Sequence, residues 1–255
     1  MALADLPTHS SHNAARGNAR LSPQHGRCHT CAFKPGCLPA DLEGEALTSF
    51  EHMVMRRPPL LKAGQSLVRH GERMHDFYAV RVGSLKAVDN SIDGNCRVMG
   101  FHFPGAIIGL AQLEYMPWTQ TFVALEDTAL CRIPLTALSV RVHSQLIRLI
   151  SRSLQREYAH HRLLATKSCA GKIATFLLDI SADREQRLLA AARFTLPMTN
   201  IDIASYLGMR HESFSRAFIA LQHRGLVVHQ GKHVHLIDMP ALRELQDSES
   251  RRASV

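Results

Sequence analysis

The sequence predicts an α+β chain: an N-terminal Cys-rich loop, an antiparallel β-roll or jelly roll, a long dimerisation helix and a C-terminal winged helix-turn-helix. Three observations carry that prediction. Short alternating or β-branched runs separated by glycines fill the first half of the chain. A helical apolar period replaces them after Pro134. Beyond residue 199, small, glycine and apolar residues stand at the offsets of two crossing helices. A length of 255 residues with 45% hydrophobic and 20% charged content suits two globular domains and excludes a disordered or collagen-like chain.

Residues 1–26 are rich in Ser, His, Asn, Ala and Arg with no apolar period, and are expected to be disordered. Residues 27–137 hold the Cys loop and the β-roll. Its strands are expected at Ser66–Arg69, Phe77–Val82, Ser84–Val88, Arg97–Phe103 and Leu130–Ile133, punctuated by Gly64, Gly71, Gly83, Gly94 and Gly105. From 138 to 166 the pattern is helical. Ile147, Ile150, Leu154, Glu157, His161 and Leu164 recur at three- and four-residue steps, the seam of a coiled coil, over a helix of roughly 40 Å. Such a helix calls for a second copy of itself.

Residues 167–240 form the winged unit, and 241–255 a flexible tail. Thr199 with Asp202 reads as a capping box. Ala204 suits the crossing of two helices, Gly208 the left-handed turn between them, and Phe214 the core beneath the second helix. The segment Val227–Ile237 then reads as two strands around Gly231.

Charge points to the partner. Thirty Lys and Arg against twenty-two Asp and Glu give +8, which favours a polyanion, with nucleic acid first. The second helix of the unit would offer His211, Glu212, Ser215 and Arg216 to base edges, where Arg can donate to guanine and Glu can accept from cytosine. Arg210, Arg224 and Lys232 are candidate phosphate contacts. No Gly-rich cofactor loop, nucleophile elbow or paired-carboxylate site supports an enzyme. No stretch nears the roughly 18 apolar residues of a membrane span, and the N-terminus lacks a signal peptide's apolar core, so a soluble cytoplasmic chain is expected.

Cys28, Cys31 and Cys37 crowd into ten residues, while Cys96, Cys131 and Cys169 are scattered. Pro35 and Gly36 forbid a continuous helix there and let the chain wrap around one centre. Arg27 and Lys34 are expected to favour the thiolates that bind metal. Three ligands close no tetrahedron. Local chemistry leaves Cys96, Cys131 and Cys169 open as the fourth, with His29 if the metal is zinc, and it does not separate structural zinc from an iron-sulfur cluster.

The order Cys-x2-Cys-x5-Cys, β-domain, long helix and winged helix with Glu-x-x-Ser-Arg resembles the oxygen-sensing FNR branch of the CRP/FNR transcription regulators, from Cys28 to about Leu236. In that family the fourth ligand follows an Ala-Leu-Glu segment and precedes Ile-Pro. Ala124-Leu125-Glu126 and Ile133-Pro134 match that arrangement, so the resemblance selects Cys131; Gly100–Gly105 supports the alignment. It further implies one 4Fe-4S cluster per subunit, a homodimer, double-stranded DNA with paired TTGAT-type half-sites, and RNA polymerase as a partner. His161 stands where the family usually has an aliphatic residue, and His211 where it has Val.

The other branch of the superfamily binds cyclic AMP. Here 106–122 contains no Arg or Lys and Gly109 is followed by Leu110, so a buried phosphate would go uncompensated and no cyclic-nucleotide response is expected.

Overall fold

The computed structural model describes residues 28–54, 60–90, 96–113, 117–166, 168–186 and 191–252; the expected disordered stretch 1–26 lies outside them. Six helices are described: α1 (Gly44–Val54), α2 (His143–Ala165), α3 (Cys169–Gln186), α4 (Asn200–Tyr206), α5 (His211–His223) and α6 (Met239–Arg252). The first eight strands are β1 (Leu60–Leu61), β2 (Ser66–Val68), β3 (Asp76–Val82), β4 (Leu85–Asn90), β5 (Cys96–His102), β6 (Ile107–Ile108), β7 (Thr121–Ala124) and β8 (Thr128–Pro134). The last three are β9 (Arg193–Thr195), β10 (Val227–Gln230) and β11 (His233–Leu236).

The β-roll is two four-stranded antiparallel sheets in the orders β1-β8-β3-β6 and β2-β7-β4-β5. Alternation along the strands turns Phe77, Leu85, Phe122 and Leu130 into the space between them, where Trp118 fills the middle. The expected strands all form. Helix α1 was not expected. Its Leu47, Phe50, Glu51 and Val54 fall at three- and four-residue steps, so one stripe is buried on the outer side of β8.

Two further boundaries differ from expectation. The long helix begins at His143 rather than 138, because Ser139 is extended and Val140–Val142 tighten into a 3-10 turn that seats Val142 in the core. The segment expected as a flexible tail is helical as far as Arg252. Asp238 accepts the Ala241 amide through its side chain at 2.9 Å, and Leu242 is fully buried in the C-terminal core.

That core is built around α3, α5 and the sheet β10-β11-β9. Thr199 caps α4 with the reciprocal Asp202 bonds expected of a capping box. Gly208 then takes φ +61°, a conformation that side chains with a Cβ adopt only under strain, and lets α5 turn across α4. Ala204 and Phe214 are buried at the crossing, as expected.

Candidate metal centre and nucleic-acid interface

The cysteine segment is a run of tight turns. The amides of Cys31, Lys34, Cys37 and Ala40 each donate to the carbonyl three residues earlier, at 3.0–3.2 Å. A coil of three residues per turn stacks every third side chain on one side, so spacings of three and six place Cys28, Cys31 and Cys37 along a single face. On β8, Leu130 points into the roll and Cys131 to the opposite face, paired with Ala79 of β3. All four thiols line one pocket, closed by Phe50 and Val54 of α1, Ala79 and Arg81 of β3, and Phe33. Cys96 lies exposed at the start of β5 and Cys169 at the start of α3, and neither reaches that pocket. Among the described residues, no three His, Cys, Asp or Glu side chains converge as a ready cage for a single ion.

Two residues that sequence reasoning missed shape this pocket. Glu51 of α1 is buried and accepts both the His29 backbone amide at 3.1 Å and the His29 ring Nδ1 at 3.3 Å, tying the coil to α1. His29 is thereby turned toward Glu51. Burial works to raise the Glu51 carboxyl, but the bonds from His29 overcome it and hold it below its ordinary value. Arg81 is the cation whose charge acts on Cys28 and Cys131. Their positions in sequence, on an unexpected helix and within a β run, offered no signal for either role.

The activation of these thiols expected from Lys34 is not seen. Arg27 lies outside the described residues. Burial dominates for the others: it pushes Cys28 and Cys37 up to about 12 and Cys131 up to about 11, with Arg81 opposing the rise at Cys28 and Cys131. Left alone, Cys28, Cys37 and Cys131 are neutral thiols. Four sulfurs lining one pocket, three of which give up their protons only in exchange for a cation, fit a thiolate-ligated centre.

The seam of α2 is unpartnered within the protomer. Ile147 and Leu154 are 64% and 51% exposed, and Ile150, Glu157 and His161 also face solvent. Leu164 departs from the expected row. It is half-buried, with a methyl 3.2 Å from where a Cβ on Gly208 would sit, so it abuts the helix-turn-helix. Adjacent to exposed His161, His160 is buried.

On α5, His211, Glu212 and Arg216 are exposed and Ser215 is half-buried beside them, its hydroxyl 3.5 Å from His211 Nε2. Glu212 and Arg216 do not pair with each other, which leaves both heads available to a ligand. Arg210, Arg224 and Lys232 are exposed at the N-cap of α5, its C-cap and the wing turn.

Residues 60–141 match the cyclic nucleotide-binding domain family and residues 171–245 the Crp-like helix-turn-helix domain family. The transcriptional activator protein anr of Pseudomonas aeruginosa is 35% identical over 225 residues, covering 86% of this chain and 91% of that protein. The chain belongs to the CRP/FNR family. The transcriptional regulatory protein btr of Bordetella pertussis is 31% identical over 90% of this chain and 97% of its own length. The structure of FixK2 from Bradyrhizobium japonicum superposes with a TM-score of 0.66 at 26% identity, over 74% of this chain and 96% of that one.

CRP/FNR proteins are DNA-binding transcription regulators rather than enzymes. Within that frame the roll of this member is tightly filled. A Cβ on Gly109, whose φ is +107°, would lie 2.8 Å from Met74, 3.0 Å from Phe77 and 3.2 Å from Trp118. No helix among the described residues is long and apolar enough to cross a membrane.

Proposed function

We propose that this chain is an oxygen-responsive CRP/FNR regulator in which a 4Fe-4S cluster, held by Cys28, Cys31, Cys37 and Cys131, stabilises a homodimer that binds palindromic TTGAT-type operators when oxygen is scarce. The observation that carries the reading is that four half-buried thiols from two distant segments line one pocket. The relatives include anaerobic regulatory proteins, among them that of Pasteurella multocida at 30% identity. Such a cluster, when bound, supplies iron that oxygen can oxidise.

The chain's own residues connect that pocket to α2. Leu38 and Leu42, directly after Cys37, share a core with Leu149 of α2, and Asp41 pairs with Arg148 of α2. Ordering the coil therefore orders the face that carries Ile147, Ile150 and Leu154. Glu157 opposes its own copy in the dimer, so association depends on stabilisation supplied elsewhere. The paired α5 helices then read DNA through His211, Glu212, Ser215 and Arg216, while Arg210, Arg224 and Lys232 hold phosphates. RNA polymerase is the partner at the promoter, and the site of action is the cytoplasm. The role is not one of cyclic-nucleotide sensing, since Met74, Phe77 and Trp118 occupy the roll and no cation stands in 106–113 or 117–122.

Iron and sulfide content, measured beside operator binding on anoxically purified protein, tests the proposal. Stoichiometric iron and sulfide, tight binding that collapses in air, and no change on adding cyclic AMP are expected. A colourless zinc protein that binds equally in air would replace it with a zinc-stapled regulator. For base reading, Arg216→Ala is expected to lose about 1–3 kcal/mol on the cognate operator and to stop discriminating its guanine. Gel-shift affinities unaltered by the change would remove Arg216 from the reading set.

A further inference from the structure

Asp202, Ser205 and Tyr206 fall at i, i+3 and i+4 of α4 and so share one side of it, while Ile203 and Ala204 turn into the C-terminal core. The polar side closes on the β-roll. Lys86 of β4 reaches Asp202 at 2.5 Å, and both groups are largely buried. The Val98 amide of β5 donates to the Ser205 hydroxyl at 3.0 Å. Because β5 is the last strand of its sheet, this bond satisfies an outward amide at an otherwise open edge.

The Tyr206 ring lies flat on His160 of α2, with centroids 4.1 Å apart and planes within 1°, and it tilts against Phe101 of β5 at 5.2 Å. His160 Nε2 donates to the Tyr206 carbonyl at 2.9 Å. Burial works to raise the Asp202 carboxyl, and bonds from Lys86 and Thr199 overcome it, holding it below the usual range.

Three attachments to three different elements define an orientation, which a covalent linker alone does not. Helix α4 is joined to α5 through the turn at Leu207–Arg210, so fixing α4 against β5 and α2 fixes the reading helix relative to the dimer seam. We propose that Tyr206, with His160, Phe101 and the Lys86–Asp202 pair, forms a ruler that sets which half-site spacing the dimer accepts. These are positioning residues, and the inference rests on the palindrome-binding dimer proposed above.

Shifting one half-site by a base pair moves it about 3.4 Å and turns it by roughly 35°. A docked domain can follow only by breaking the stack and the ion pair, whereas an undocked one follows freely.

The test uses full-length anoxic protein and fluorescence anisotropy on palindromes lengthened or shortened by one and two base pairs. The wild-type chain is expected to lose about tenfold or more per base pair of misfit. In Lys86→Met/Phe101→Ala, which leaves the helix-turn-helix sequence intact, and separately in Tyr206→Leu, the loss should shrink to about threefold or less. Discrimination of guanine within the half-site and dimer mass should stay unchanged, readouts that general loosening of the fold would also disturb.

A dimeric variant that keeps the full spacing penalty would overturn the ruler, as would a wild-type dimer indifferent to spacing. Tighter binding by the variants with the same spacing preference would also overturn it, and would identify the contact as inhibitory. Wild-type protein that gains nothing from a second half-site would instead overturn the palindrome reading, a result visible before any substitution is made.

Discussion

Anoxically purified Cys131→Ser is expected to fold and to lose operator binding. Cys131 stands on the outer face of β8 while buried Thr128 and Leu130 anchor that strand in the roll, so exchanging sulfur for oxygen leaves the sheet and its apolar core in place. The coil carrying Cys28, Cys31 and Cys37 keeps its turns and its Glu51 tether, but it would lose the link to the strand that the proposed cluster supplies. Iron content should fall to background and affinity to the non-specific level, about 10³-fold or more weaker, with the melting transition of the β-roll retained. Iron analysis, anisotropy and thermal unfolding on the same sample decide it. Full iron loading and wild-type affinity in this variant would return the fourth position to Cys96 or Cys169.

The second large effect is expected in air. Glu157 is exposed on the protomer, in the row with Ile150, Leu154 and His161, and in the proposed two-fold dimer it would meet its own copy. Bringing two carboxylates together in a desolvated seam costs on the order of a few kcal/mol. Glu157→Ala removes that penalty while keeping helix propensity high, and each 1.4 kcal/mol recovered tightens the dimer about tenfold. The variant should sediment as a dimer before and after oxygen exposure, where the parent chain is expected to dissociate. A sedimentation profile that shifts to monomer in air, as in the parent, would show that Glu157 is not the brake. Exposed His161 flanks this position, so measurements belong at a pH where it is neutral.

Much of the architecture was legible because it rests on local periods. Alternation in 77–82 and 97–103 produced strands, the three-four step from Ile147 to His161 a helix, and the Thr199, Gly208 and Phe214 offsets the two crossing helices they imply. Helix α1 was not legible, since Thr48-Ser49-Phe50 are weak helix formers and only packing on β8 makes the stripe from Leu47 to Val54 count. The helix at 239–252 was missed for a related reason: its polar sequence resembles a tail until Leu242 docks in the C-terminal core. Lys34 misled because sequence proximity is a poor guide to field. Burial dominates at Cys28, Cys37 and Cys131, and the cation that acts on Cys28 and Cys131 is Arg81, distant in the chain.

By itself the sequence determined the class, the order of the parts and the clustering of Cys28, Cys31 and Cys37 on a loop able to wrap one centre, because periodicity and covalent spacing act within a few residues. Local chemistry left Cys96, Cys131 and Cys169 open and the resemblance selected Cys131; tertiary structure brought Cys131 into their pocket, left Cys28, Cys37 and Cys131 neutral when alone, and pinned α4 to β4, β5 and α2. Those outcomes depend on which faces meet and how much water they exclude, and desolvation belongs to the folded assembly rather than to any segment.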